Sequence, residues 1–173
     1  MRIADRALAA LREASNRQLV IANDPRAGEW FPGLTIVADE EPGLGPLTGL
    51  VTALRAAEGA PIIVLAWDMP FVPGGLLAEL AVRGARGAAA VVPVHGVRGQ
   101  RQPLCAYYSA AALTTALELL ERGERRAAAL AKGLAQVELL DEQELARFGD
   151  PARLFLSVDT PDELAEHGGS SRD

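Results

Sequence analysis

The chain has 173 residues, of which 49% are hydrophobic, and a formal net charge of −6. This length fits one ordinary domain, and the hydrophobic fraction is sufficient for a full core without disulfides or structural metals. The negative charge, without long runs of one sign, argues against a protein that holds nucleic acid by its phosphates, although a metal ion and a few backbone amides can still bind a mononucleotide.

The first half of the chain alternates predicted helices with short predicted strands. It opens directly on an amphipathic helix whose apolar stripe begins at Ile3. Strands are predicted at Leu19–Ala22, Leu34–Ala38 and Pro61–Ala66, and helices are predicted to begin at Pro46 and at about Pro73. The third strand is continuously apolar, which is typical of a central parallel strand covered on both faces.

The second half continues with shorter elements. Strands are predicted at Ala88–Pro93, Leu104–Tyr108, Val137–Leu140 and Leu154–Ser157, and helices from Leu113, at Arg125–Lys132 and at Pro161–Glu166. The alternation predicts a three-layer α/β fold with a mostly parallel, Rossmann-like sheet, in which ligands lie outside the carboxyl ends of the strands. We expect one domain over residues 1–166 and a flexible, Gly/Ser-rich tail over residues 167–173.

Three polar residues follow the ends of successive predicted strands. They are Asn23, Asp39 and Asp68. In a parallel sheet these ends share one rim, so the three side chains are expected to converge on one ligand. For Asn23 and Asp39 the structural alternative is that Asn and Asp commonly begin turns.

Asp68 carries a sharper prediction because it directly follows the most apolar strand. A carboxylate there is costly unless it is paired, hydrogen-bonded or bound to metal. Met69-Pro70 after it restricts the backbone. Since Mg²⁺ is usually held by one or two carboxylates together with substrate phosphates, we interpret Asp68 as a magnesium ligand; the alternative is a cap for the next helix.

The loop Glu40–Pro46 feeds the next helix and is rich in glycine. Gly43, Gly45, Pro46 and Gly49 allow the backbone to approach a flat ligand, and a helix N-terminus favours anions. The alternative is a surface turn.

Two further segments carry weaker signals. Asp159 lies between a predicted strand and the last helix, where it either caps that helix or makes a second contact to the metal. Arg98, Arg101 and Gln102 lie in or beside a glycine-rich loop, where they either meet the phosphate of an acceptor substrate or are simply solvated. His95, on the same loop, is assigned no role.

The sequence also bears on the compartment. No apolar run is long enough to cross a bilayer, and the N-terminus has no apolar segment of the kind found in signal peptides. The single cysteine, Cys105, excludes an internal disulfide, and we interpret it as a packed strand residue rather than a nucleophile. These features predict a cytoplasmic protein that contacts neither membranes nor nucleic acid.

Five segments, in this order, resemble the molybdenum cofactor guanylyltransferase family. Two are specific: the Asp-Glu-Glu-Pro-Gly-x-Gly-Pro-Leu-x-Gly stretch at 39–49 and the Asp-Met-Pro-Phe stretch at 68–71. The others are Ile21-Ala22-Asn23, Gln102–Tyr108 and Val158–Leu164. The similarity covers nearly the whole chain.

The resemblance implies an enzyme that transfers GMP from GTP to molybdenum-bearing molybdopterin, with release of pyrophosphate. By motif, Asn23 and Asp39 would contact the guanosine, the Gly43–Gly49 loop would shape the guanine pocket, and Asp68 would bind Mg²⁺ and the phosphates. Proteins that mature molybdoenzymes are implied as partners. A non-catalytic binding module derived from the same fold, or a cytidylyl- or sugar-nucleotide transferase, are the alternatives.

The sequence departs from the family pattern in one large respect. The family begins with a strand and a loop of the form Leu-Ala-Gly-Gly-x-Ser-x-Arg-Met-Gly-x-x-Lys, which wraps the triphosphate, and no segment here matches it. Either Met1 is an internal start of a longer protein, or the short form is real and catalytically weak. Lys132, the only lysine, lies in a late helix. We therefore expect little activity from the chain as given.

Smaller departures affect single positions. Trp67 stands where the family often has cysteine, and Ser157 and Asp159 stand where it often has asparagines.

Overall fold

The computed structural model describes residues 2–39 and 43–168. Its first element, α1, spans Ile3–Ala14, and Asp5 in the first turn accepts a hydrogen bond from the Arg2 backbone amide at 2.9 Å. This hydrogen bond satisfies the backbone amide just before the helix, as one half of a capping box does. The other helices are α2 (Ala27–Trp30), α3 (Pro46–Ala56), α4 (Gly74–Gly84), α5 (Ala112–Glu121), α6 (Ala127–Gly133), α7 (Glu142–Leu145), α8 (Pro151–Leu154) and α9 (Pro161–Gly168).

The strands of the described residues form two separate sheets. β1 (Leu19–Ile21) and β2 (Thr35–Val37) pair in parallel as a two-stranded sheet. The second sheet contains β3 (Ile62–Leu65), β4 (Ala90–His95), β5 (Gln100–Arg101), β6 (Cys105–Tyr108) and β7 (Val137–Leu140). Its path is β3-β6-β4-β5, and β7 pairs with β4.

Strand direction in the larger sheet is mixed. β7 runs parallel to β4, whereas β6 is antiparallel to both β3 and β4. β3, β4 and β7 therefore point the same way, and their carboxyl ends share one edge. The α/β architecture with parallel strands is confirmed, with β6 inserted in the opposite direction.

The core has two layers, one on each face of the larger sheet. Side chains of β6 alternate between them, as the period of a strand requires. Ala106 and Tyr108 pack with α3, α5 and α6, whereas Cys105 and Tyr107 pack with α1 and α4. Cys105 is fully buried, which agrees with its interpretation as a packed strand residue, and this burial raises the pKa of its thiol to about 12.

An ion-pair network ties α4 to β7 and to α7, which packs on the same face of the sheet. The guanidinium of Arg83 contacts Glu79 at 2.9 Å, Glu138 at 2.9 Å and Glu144 at 2.8 Å. Its side chain is only 13% exposed, and these carboxylates raise its pKa above the ordinary value. Three partners thus compensate one nearly buried charge.

The predicted strand at Leu154–Ser157 is wrong. Leu154 ends α8, which Asp150 caps by accepting a hydrogen bond from Ala152 N at 3.0 Å, with Pro151 in the first helical position. Leu154 is therefore buried as part of a helical turn and not as part of a strand. The residues after it reach the end of β3 instead of pairing along a strand. The short helices α2 and α7 and the strand β5 were not predicted.

β3 and β1 each have one edge that meets no other strand in the described residues. Ala66 N donates to Leu104 O at 2.8 Å, so by antiparallel alternation Val64 also faces β6, and the backbone of Ile63 and Leu65 points to the opposite edge. All four residues of β3 are half-buried, unlike the fully buried β6. α3 contacts β1, β2 and β3, so one helix backs both sheets.

Within the described part of the chain, every helix falls short of the length and apolarity that a bilayer span requires.

Candidate functional site

The structure brings Asn23 and Asp39 together at the ends of β1 and β2. The Asp39 backbone amide donates to Asn23 Oδ1 at 2.8 Å, and Asn23 Nδ2 reaches Asp39 Oδ2 at 3.5 Å. The two residues follow paired parallel strands, so their proximity is a direct consequence of strand register. Asn23 is exposed and Asp39 is half-buried, which leaves this pair open to a ligand.

Thr52 completes this group, and sequence reasoning missed it. Its hydroxyl lies 2.9 Å from Asp39 Oδ1 and 3.0 Å from the carbonyl of Thr48. A hydroxyl has one proton, so it donates to one of these acceptors at a time. The available signal was the i, i+4 spacing of Thr48 and Thr52. This spacing places both side chains on one face of α3, the helix that follows Asp39 in the chain. Both threonines also line a groove of about 250 Å³ between α3 and α5.

Gly45, just before α3, and Gly49, within it, are glycines for different structural reasons. Gly45 adopts φ 106°, and a Cβ there would lie 2.9 Å from the carbonyl oxygen of Arg125. Close packing against Arg125 therefore accounts for a glycine at this position. A Cβ on Gly49 would lie 3.8 Å from Asp39 Oδ1, in ordinary contact, so glycine here keeps one side of the carboxylate uncovered.

The start of α3 is only partly free to bind an anion. Leu47 N, one of the first amides of the helix, already donates to Arg125 O at 3.1 Å, and Thr48 Oγ1 donates to Gly45 O at 2.6 Å. Pro46 occupies the first helical position, as predicted. Gly43 adopts φ 80° with open space around it. The predicted loop residues Glu40, Glu41 and Pro42 lie outside the described residues.

Asp68 forms a second group with the C-terminal part of the chain. Ser157 Oγ donates to Asp68 Oδ2 at 2.5 Å, and Val158 N donates to the Asp68 backbone carbonyl at 2.9 Å. Asp68 is half-buried at the carboxyl end of β3. No hydrogen bond to its other oxygen, Oδ1, is present among the described residues. Sequence reasoning placed Ser157 in a strand and gave it no contact with Asp68.

The donor set at Asp68 fits a magnesium ion that is shared with a substrate. Within residues 2–39 and 43–168, no cluster of three or more His, Cys, Asp or Glu side chains could hold a metal alone. Mg²⁺ commonly uses one or two protein carboxylates, with phosphate oxygens and water as its other ligands. A single ordered carboxylate with one uncommitted oxygen matches that pattern better than it matches a dedicated metal cage.

The remaining predicted residues occupy separate places. Asp159 is exposed, and its backbone amide donates to Glu163 Oε2 at 2.9 Å in the first turn of α9. The Arg101 guanidinium donates to the carbonyl of Ala131 at the end of α6. Gln102 N donates to Pro93 O at 2.9 Å, which closes the β4–β5 hairpin.

His95 and Arg98 lie on the β4–β5 hairpin. Nδ1 of His95 lies 2.9 Å from Glu142 Oε1, an oxygen that also accepts a hydrogen bond from Gly96 N at 2.7 Å. Glu142 therefore fixes the hairpin against α7. Arg98 is exposed in the turn itself.

The site thus consists of two polar groups, Asn23–Asp39–Thr52 and Asp68–Ser157. No hydrogen bond joins one group to the other in the part of the chain that the structure describes. α3 contacts β1, β2 and β3, the strands that precede Asn23, Asp39 and Asp68. The convergence of the two groups on a single ligand therefore stays a prediction. Chemically, the first group offers acceptors to a polar ring, and the second offers a carboxylate to a cation.

Comparisons with known proteins agree with one another. A family model described as a MobA-like NTP transferase domain matches residues 1–139. The probable molybdenum cofactor guanylyltransferase of Chloroflexus aggregans is 37% identical over 161 residues, 92% of this chain and 76% of that protein. The probable molybdenum cofactor guanylyltransferase of Deinococcus radiodurans is 33% identical over 162 residues, 94% of this chain and 78% of that protein.

Solved structures show the same relationship. Molybdopterin-guanine dinucleotide biosynthesis protein A from Archaeoglobus fulgidus superposes with a TM-score of 0.73 at 25% identity, over 96% of this chain and 83% of that chain. The 2-C-methyl-D-erythritol 4-phosphate cytidylyltransferase from Thermus thermophilus gives a TM-score of 0.65 at 20% identity, over 99% of this chain and 89% of that chain. The second likeness is one of fold alone.

Proposed function

The chain belongs to the MobA-like NTP transferase family, and we propose that it transfers GMP from GTP to molybdenum-bearing molybdopterin, giving the guanine dinucleotide cofactor and pyrophosphate. The fold is that of the nucleotidyltransferases, as expected from the sequence. The observation that carries the proposal is the contact between Asn23, Asp39 and Thr52, because it presents an oriented carboxylate next to the loop that the family resemblance assigns to guanine.

The Asn23–Asp39–Thr52 group is chemically suited to bind guanine. Guanine carries adjacent N1–H and N2–H donors, and an ionised carboxylate accepts two such donors with its two oxygens. Both Asp39 oxygens have lone pairs beyond those used by Thr52 and Asn23. Asn23 fixes the Asp39 backbone and Thr52 fixes its side chain, so the carboxylate would be held ready for the base.

The Asp68 group supports phosphate chemistry. Asp68 would hold Mg²⁺ through its carboxylate, with Asp159 as the candidate second ligand. When bound, Mg²⁺ would neutralise charge on the GTP phosphates. An oxygen of the molybdopterin phosphate would attack the α-phosphorus of GTP, and the bond from that phosphorus to pyrophosphate would break. Gln102 and the remaining guanidinium N–H groups of Arg101 are the candidate contacts to the acceptor phosphate.

The base preference is tested by calorimetry on the 173-residue chain with GTP and with CTP, each with Mg²⁺. We expect GTP to bind at least about tenfold more tightly, because a bidentate carboxylate–guanine pair adds a charge-assisted hydrogen bond that cytosine cannot match. Asp39→Asn should remove most of this preference, since the amide replaces one acceptor oxygen by a donor. Equal or tighter CTP binding would overturn the guanine proposal and favour a cytidylyltransferase.

The reaction itself is tested by pyrophosphate release with GTP and molybdenum-bearing molybdopterin. We expect low turnover from the 173 residues alone, because none of its segments matches the family's glycine-rich phosphate loop and its only lysine lies in α6. A normal enzymatic rate would refute that expectation. Asp68→Asn should abolish whatever turnover is present while leaving the fold intact, because it keeps the side-chain shape and deletes its charge.

The cellular setting is part of the same proposal. A cytoplasmic enzyme that hands its product to molybdoenzyme-maturation proteins fits the single buried cysteine and the biosynthetic names of the relatives. Pull-down of a molybdoenzyme chaperone by the tagged chain, dependent on bound cofactor, would support it.

A further inference from the structure

We propose that Ser157 is a positioning residue that orients the Asp68 carboxylate for the metal, an inference that rests on the proposed role of Asp68. Ser157 Oγ donates to Asp68 Oδ2 at 2.5 Å across 89 residues of sequence. This separation is in the range of charge-assisted O–H···O⁻ hydrogen bonds. The contact joins the end of β3 to a C-terminal segment that sequence reasoning placed in a strand.

The segment that carries Ser157 is itself anchored to the Asp68 turn. Val158 is fully buried, and its backbone amide donates to the Asp68 carbonyl at 2.9 Å. Three residues beyond Asp68, the Phe71 ring lies 4.8 Å from the Arg153 guanidinium carbon, in cation–π geometry. Apart from the Ser157 hydroxyl itself, a backbone hydrogen bond and a cation–π contact thus hold residues 153–158 against residues 68–71. Ser157 is therefore held in place by its neighbours, even though its own side chain is exposed.

The contact with Ser157 also sets the orientation of the Asp68 carboxylate. A carboxylate rotates readily about its terminal torsion, because sp³–sp² torsions are broad. The Ser157 hydroxyl occupies Oδ2 and so fixes that rotation, which leaves Oδ1 to face the cation. Ser157 thus acts through Asp68, and its loss should weaken metal binding without removing the ligand.

The test is Mn²⁺ binding measured by electron paramagnetic resonance in the presence of GTP, a readout independent of turnover. We expect Asp68→Asn to abolish tight binding and Ser157→Ala to weaken it about tenfold, the scale of one hydrogen bond to a charged group. Ser157→Thr keeps the donor hydroxyl and should bind within about twofold of the unmodified chain. Ser109→Ala is the matched control, because Ser109 follows β6 and so lies at the opposite edge of the sheet.

The outcomes separate the two proposals. If Asp68→Asn binds Mn²⁺ as well as the unmodified chain does, the metal role of Asp68 fails, and the positioning role fails with it. If Asp68→Asn loses binding while Ser157→Ala keeps it, only the positioning role of Ser157 is overturned. Equal losses in Ser157→Ala and Ser157→Thr would also overturn it, because the hydroxyl would then not be the cause. Thermal melts of each variant, with Mn²⁺ measured well below the midpoint, exclude unfolding as the explanation.

Discussion

The two sides of the molecule differ in how completely their strands are paired with other strands and buried. In the closed half, formed by β4, β6 and β7, β6 is paired along both edges and all four of its residues are buried. In the open half, formed by β1, β2 and β3, the strands are half-buried or exposed, and β1 and β3 each present an edge that meets no strand in the described residues.

The candidate site residues gather on the open half. Asn23, Asp39 and Asp68 follow its three strands, and Thr52 and Ser157 reach them from α3 and from the C-terminal segment. Stability and chemistry are thus separated in space: the closed half buries apolar surface, and the open half keeps carboxylates accessible. Four experiments test this separation, in order of decreasing expected effect.

Hydrogen exchange should show the largest contrast. We expect the amides of Tyr107 in β6 and Val91 in β4, which pair with each other, to exchange only with global unfolding, at least about a thousandfold more slowly than Ile63 and Leu65 on the open edge of β3. Val64 faces β6 and serves as a control on the same strand, so its amide should be protected while its two neighbours are not. Amide exchange followed by NMR measures all five sites. Equal protection of Ile63, Val64 and Leu65 would mean that the edge of β3 is covered.

Truncating a leucine in each half should give unequal losses of stability. Leu80 of α4 is fully buried against the closed half, so Leu80→Ala should lower the free energy of unfolding by about 3 kcal/mol. Leu19 of β1 is only half-buried, so Leu19→Ala should cost about 1 kcal/mol. Urea denaturation monitored by circular dichroism provides both values. Equal losses would contradict the proposed division between the halves.

Removing the Thr52 hydroxyl should affect binding more than stability. Thr52→Val keeps the side-chain shape but deletes the hydrogen bond to Asp39, so we expect about fivefold weaker GTP binding by calorimetry. CTP binding should change little, because Thr52 acts through the carboxylate proposed to contact guanine. Thr114→Val, at an exposed position of α5, is the control. Equal weakening of both nucleotides would show that Thr52 supports the fold of the site and not base preference.

The smallest effect concerns pH and the closed half. Burial raises the pKa of the Cys105 thiol to about 12, whereas an unfolded cysteine titrates near about 8.5. Between these values the folded chain retains a proton that the unfolded chain has lost, so the free energy of unfolding should fall as pH rises. Denaturation at pH 8 and pH 9 measures the decline, which we expect to stay below about 1 kcal/mol over this interval. Burial also raises the pKa of Tyr107 and Tyr108, so Cys105→Ala should reduce the decline without removing it; an unchanged decline would refute the contribution of Cys105.

Local sequence signals predicted most of the elements and failed where tertiary contacts decide. The apolar periodicity of α1, α3 and α4 and the apolar runs of β3 and β4 correspond to observed elements. The prediction of a strand at Leu154–Ser157 was wrong because a run of three apolar residues is equally compatible with a strand and with a capped helical turn. Asp150-Pro151 before it was the signal for the helix.

The sequence by itself determined the fold class, the family and the positions of Asn23, Asp39 and Asp68 at strand ends, because periodicity and motifs are local properties of the chain. Only the tertiary structure decided that β6 runs antiparallel between β3 and β4, that Thr52 holds Asp39, and that Ser157 holds Asp68. The physical reason is that a hydrogen bond between residues far apart in sequence depends on how elements pack. No local pattern encodes the partner that a side chain meets across the fold.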